Sequence, residues 1–75
     1  MSAVDFEGWY RETHPRLSSS MAIVAGEVGV AAEVVDEAFA RAYERWDRVG
    51  AMASPAGWTY RTALNVLRRK QRIDR

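Results

Sequence analysis

Apolar positions recur along this chain with the period of a helix and nowhere, over a useful length, with the period of a strand. The clearest run lies between Val30 and Arg48, where Ala31, Val34, Val35, Ala38, Phe39, Ala42, Tyr43 and Trp46 fall at i, i+3, i+4, i+7, i+8, i+11, i+12 and i+15. Such a stripe belongs to an amphipathic helix with one face in a core. Its polar side carries Glu33, Asp36, Glu37, Arg41, Glu44 and Arg45, with Glu37–Arg41 and Glu44–Arg48 spaced as i, i+4 ion pairs. Upstream, Phe6, Trp9, Tyr10 and Thr13 also keep helical spacing, behind a Ser2 cap followed three residues later by Asp5. Pro15 disfavours a helical His14 but suits a first turn. The pattern therefore predicts one helix ending near His14 and a second starting at Pro15, with Leu17, Met21 and Val24 as its core stripe. Gly26 and Gly29 then interrupt it.

Arg48 to Ala53 has no periodicity and contains Gly50, so it reads as a loop. Ser54 as N-cap and Pro55 at the first helical position open a last helix running to Arg75. The expected fold is all-α, a compact bundle of about four helices with short connections. Seventy-five residues allow one domain, 1–75, and only a modest core.

The last helix carries the most specific pattern. Arg61, Asn65, Arg68 and Arg72 stand at i, i+4, i+7 and i+11 and so share a face, with Arg69 beside them and Trp58 and Tyr60 at the N-terminal end. Guanidinium forks match phosphate oxygens and set register, without reading sequence. A carboxamide both donates and accepts, so Asn65 is the candidate base reader. Aromatic rings stack on unpaired bases, a role open to Trp58 and Tyr60, although a tryptophan here equally suits the core beneath the loop. A solvated face is the ordinary fate of a charge run, but almost no acids balance this one, which favours nucleic acid.

Charge and composition narrow the picture further. The net charge of +1 conceals an asymmetry: residues 1–50 hold nine acids and five bases, while 51–75 hold one acid and six bases. Phosphate should therefore meet the C-terminal helix and be repelled by the acidic body. With no cysteine and a single histidine, neither a disulfide framework nor a thiolate or multi-histidine zinc site can be built. His14 is expected to be a cap or surface residue, and Ser18, Ser19 and Ser20 lack a base and an orienting acid. Gly26 and Gly29 in GEVG do not follow a strand, which rejects a nucleotide-binding loop. No enzyme, metal or cofactor is expected. The longest apolar run, Met21 to Ala25, is too short to span a bilayer and the N-terminus lacks a basic region, so a cytoplasmic protein is expected.

Taken in order, DFEGWYRETHPRL (Asp5 to Leu17), AAEVVDEAFARAYERW (Ala31 to Trp46) and SPAGWTYRTALN (Ser54 to Asn65) resemble region 2 of an extracytoplasmic-function sigma factor. That family supplies the promoter-recognition subunit of bacterial RNA polymerase. The second segment is similar to the family's acidic A-E-D-x-V-Q-E-x-F helix, the third to its P-x-x-W-L-Y-R-I-A-x-N pattern with a basic tail. The chain departs from the family at Ala32 and Asp36, where an acid and a glutamine are usual, and at Arg69, where an acid is common. Thr59 and Thr62 replace leucine and isoleucine. Each adds a hydroxyl needing a partner, at about 1 kcal/mol or more, so a loosely held last helix is expected.

The resemblance implies a sigma region 2-like bundle. It implies that Glu33, Asp36, Glu37 and Arg41 contact a coiled coil of the polymerase beta-prime subunit. It also implies a base-capture loop made of Arg48, Val49, Gly50, Ala51, Met52, Ala53 and Ser54. Trp58, Tyr60, Arg61, Asn65, Arg68, Arg69 and Arg72 would then hold the opened minus-ten promoter DNA, mainly its non-template strand. Complete members carry a second DNA-binding domain, so this chain is expected to be an isolated domain or a fragment. An anti-sigma factor could hold the same surfaces, which leaves a protein-interaction module as a rival class. A double-strand binder of helix-turn-helix type is the other rival, but it predicts a short helix and tight turn before its recognition helix, where a long helix and a loop of roughly six or more residues are expected here.

Overall fold

Asp5 opens the first helix: its carboxylate accepts the N–H of Gly8 at 3.0 Å, satisfying one of the amides that a helix start leaves unbonded. The computed structural model describes residues 5–74, so the expected Ser2 cap lies outside the described residues. Helix α1 then runs from Phe6 to Ala25 as one continuous rod with Pro15 inside it, so the break expected at His14 does not occur. Proline removes one helical hydrogen bond and crowds the preceding turn, at about 3 kcal/mol in a helix interior. Packing overrides that cost. Tyr10, His14, Leu17 and Met21 keep one phase across Pro15, and all four face the rest of the bundle. Pro15 itself is exposed, on the solvent side of the rod. The helix ends at Gly26, whose φ of 76° is the left-handed conformation and whose N–H donates to the Ala22 carbonyl at 3.0 Å.

Helix α2, Val28–Glu44, is capped by the Glu27 carboxylate, which accepts the Val30 N–H at 2.9 Å. Its expected stripe is buried at Ala31, Val34, Val35, Ala38, Phe39 and Ala42. The helix stops at Glu44 rather than Arg48, because the backbone turns at Arg45 into a single-turn helix α3, Trp46–Val49. Glu44 consequently faces Arg45 at 3.7 Å, in place of the expected Glu44–Arg48 pair. The turn brings the Trp46 ring against Phe6 (5.2 Å between centroids) and Trp9 (4.8 Å). Gly50 folds beneath that ring. A Cβ there would lie 2.8 Å from Trp46 Cε2 and 2.9 Å from the Trp46 carbonyl oxygen, so only glycine fits without displacement.

Helix α4, Pro55–Asp74, begins as expected, with Ser54 Oγ accepting the Gly57 N–H at 3.0 Å. Thr59, Ala63, Val66 and Leu67 form its buried face. Thr59 is 0% exposed, yet its hydroxyl donates to the Pro55 carbonyl at 2.8 Å, and Thr62 donates to the Trp58 carbonyl at 2.9 Å. The hydroxyl partners thought to be wanting are the helix's own carbonyls one turn back. Among the described residues, no buried side-chain polar atom lacks a partner.

The helices α1 and α2 are antiparallel, as the contacts Phe6–Tyr43, Trp9–Phe39 and His14–Asp36 show by running in opposite directions. Lys70 late in α4 meets Glu33 early in α2 at 3.0 Å, so this second pair is antiparallel too. One core joins α1, α2 and α4 through Leu17, Met21, Val34, Val35, Phe39 and Leu67, among others. The expected α1 stripe is only partly interior: Met21 is buried, but Val24 and its neighbour Ile23 (83% exposed) face outward. The described residues thus form an all-α bundle of four helices, and no helix among them is long and apolar enough to cross a membrane.

Candidate nucleic-acid interface

The buried face of α4 dictates where its cations go. With Thr59, Ala63, Val66 and Leu67 turned inward, a 100° step per residue places Arg61, Asn65, Arg68 and Arg72 within an arc of about 60° on the opposite side. All four are exposed, as is Arg69 on the flank of the arc. The guanidiniums are therefore neither scattered nor tucked inward. Arg61, Arg69 and Arg72 have no carboxylate partner among the described residues. Unpaired cations on one ridge repel each other until an anion joins them. Arg68 Nη1 donates to Asn65 Oδ1 in a long, weak contact of 3.4 Å. That contact engages at most one lone pair of the amide oxygen, so Asn65 can still accept through the other and donate through its NH₂ group.

The two aromatic candidates part company. Trp58 is half-buried on the ridge's flank, outside the core, and lines a cavity of about 360 Å³ with Met52, Ser54, Gly57 and Arg61. A stacking ring, a cation and the loop tip thus meet at one end of the ridge. Tyr60 does not join them. One residue before Arg61, it points about 100° around the helix and lines a groove of about 340 Å³ with Thr13, Arg16, Leu17 and Ser20 of α1. Sequence reading grouped Tyr60 with the ridge by adjacency, whereas helical geometry separates it.

The loop is shorter than expected. Arg48 and Val49 belong to α3, Val49 and Gly50 are buried under the chain's own side chains, and the Ser54 hydroxyl is committed to capping α4. Ala51, Met52 and Ala53 remain, with Arg48 exposed beside them. None of those three can donate a side-chain hydrogen bond, so any base held there is held by shape and by backbone groups.

On α2, Glu33, Asp36 and Glu37 are exposed and Arg41 is half-buried, all away from the core stripe. Arg41 is bonded to Glu37, Glu33 to Lys70, and Asp36 lies 3.7 Å from His14. His14 is thus not a cap. It sits mid-helix, half-buried, against the rings of both Tyr10 and Phe39, with Ser18 Oγ at 3.5 Å from its Nδ1. Sequence reasoning also missed Arg16, a base of the acidic body brought beside the start of α4, and Lys70, which links α4 to the acidic helix. Neither had a signal in the one-dimensional pattern, because each depends on how two helices pack. No group of histidine, cysteine, aspartate and glutamate side chains able to hold a metal ion occurs among the described residues.

No family model, no curated protein and no solved structure matches this chain.

Proposed function

We propose that this chain acts as a sigma region 2-like domain: it docks on RNA polymerase through α2 and captures opened promoter DNA along α4. It works without catalysis of its own, in the cytoplasm where the polymerase is, and an anti-sigma factor would compete for the same two surfaces. The observation that carries this reading is the ridge of exposed arginines opposite the core of α4, with Trp58 at its end. The motif resemblance supplies the partner. Extruding a base costs a few kcal/mol and stacking one on an aromatic ring returns about 1–3 kcal/mol. A single half-buried tryptophan cannot hold several base pairs open alone, so the polymerase must contribute the rest.

The test is binding of forked promoter DNA in the presence of polymerase core, followed against salt. Four phosphate contacts on single strands give a slope of log affinity against log salt of about −3. The Arg68→Ala variant weakens all sequences alike and flattens that slope, whereas Asn65→Ala relaxes the preference for particular bases. A salt-independent affinity, or polymerase core that fails to retain the wild-type chain, removes the proposal.

A further inference from the structure

The seam between α1 and α2 leaves a second site open. Phe39 and Trp9 fill its inside, while the rings of Phe6, Tyr10 and Tyr43 reach the rim: Phe6 meets Tyr43 edge-on at 5.0 Å and stacks with Tyr10 at 5.8 Å. Tyr43 stays 66% exposed, more than core packing explains. Together with Phe39 and Ala40 these rings line a groove of about 450 Å³, and the one charged side chain lining it is Asp36. Among the described residues the ion-pair partner of that carboxylate is His14, 3.7 Å away and packed against the rings of Tyr10 and Phe39. The nearby cations are engaged elsewhere, Arg11 with Glu7 and Arg41 with Glu37. Glu33 and Glu37 are paired in turn with Lys70 and Arg41, which leaves Asp36 as the acid of this groove.

We infer that this groove is a socket for an arginine side chain of a protein partner. Aromatic faces are electron-rich and attract cations, and a carboxylate at the rim adds a directed partner. A guanidinium suits both at once: it is flat enough to stack between rings, weakly hydrated, and forked to meet Asp36. An ammonium is more strongly hydrated and lacks the fork. An anion is repelled, and a purely apolar ligand leaves the Asp36 carboxylate without use. The inference deepens the proposed function, since Asp36 belongs to the polymerase-facing set. The identity of the partner rests on that reading, whereas the chemistry of the socket rests on the groove alone.

The test titrates the whole chain with N-acetyl-arginine amide and with its neutral isostere N-acetyl-citrulline amide, following Tyr10 and Tyr43 ring resonances by NMR. Arginine should shift both rings with an affinity about fivefold or more above citrulline, the scale of one cation–π contact. Asp36→Asn and Tyr43→Ala should each erase most of that preference. Both side chains are exposed, so both variants should keep the wild-type circular dichroism. Equal responses to the two amides, or arginine shifts confined to carboxylates away from the groove, overturn the socket. A parallel arm measures polymerase core binding to wild type and Tyr43→Ala. An arginine response without core binding upholds the socket and removes the polymerase reading. Core binding that ignores Tyr43→Ala, with no arginine response, does the reverse.

Discussion

The bundle's two seams are made of different materials. Between α1 and α2, rings do the packing: Phe39 alone touches Trp9, Tyr10 and His14 at centroid distances of 5.0–5.3 Å. Between α2 and α4, the α4 side offers Thr59, Ala63, Val66 and Leu67, small or slender groups with no ring among them. Rings bury large areas and resist sliding. Small residues allow close approach but contribute less apolar area per contact. The ring-packed seam thus lies in the pair of helices that carries the acids. The helix of the ring-free seam carries the crowded arginines, whose mutual repulsion an anionic ligand would relieve. Binding at the ridge should consequently tighten α4 more than it tightens the α1–α2 pair.

The largest expected effect tests the ring-packed seam. Phe39→Ala removes a 3%-exposed ring at its centre and should cost about 3–5 kcal/mol. A chain of this length has only about 4–11 kcal/mol in total. Urea unfolding followed by circular dichroism should show a strongly weakened or lost cooperative transition. Val66→Ala, on the other seam, should leave a clear transition at a lower midpoint. A Val66→Ala loss equal to that of Phe39→Ala breaks the contrast between the seams.

How much of this was legible beforehand depends on whether the determinant was local. The stripe of α2 and the Ser54–Pro55 start of α4 were readable, because periodicity and capping are properties of neighbouring residues. The union of two expected helices into α1 was not, because Pro15 is a strong local signal and its override comes from partners on α2. A clue was present all the same. Tyr10, His14, Leu17 and Met21 hold one helical phase across the proline, which two separately started helices have no reason to share. The arginine ridge followed from spacing alone, and the same arithmetic applied to Tyr60 would have turned it away from the ridge. The groove at Asp36 could not be read in advance, since its two walls come from residues 26 to 37 positions apart.

A middle-sized effect sharpens the boundary between the seams. Gly50→Ala places a methyl group 2.8 Å from the Trp46 ring and 2.9 Å from its carbonyl oxygen, and the backbone atom cannot swing aside. Such overpacking costs about 1–3 kcal/mol. Because Trp46 joins the ring cluster through Phe6 and Trp9, the strain should pass into the α1–α2 side. The readout is the thermal midpoint together with tryptophan emission. A lower midpoint with shifted emission is expected. A lower midpoint with unchanged emission would place the strain in the connection to α4 instead.

The smallest effect concerns an ion pair that links the two surfaces proposed to bind different partners. Glu33 and Lys70 lie 3.0 Å apart, with side chains 68% and 39% exposed, so solvent screens most of their attraction. A double-mutant cycle with Glu33→Ala and Lys70→Ala should give a coupling of about 0.2–1 kcal/mol at low salt, fading as ionic strength rises. Its consequence exceeds its size. A polymerase contact that recruits Glu33 would break this pair and remove one tie between α2 and the C-terminal part of α4. Adding polymerase core should then raise amide hydrogen exchange around Lys70 while protecting α2. Uniform protection of both helices would show that the pair survives docking and that the two seams respond as one.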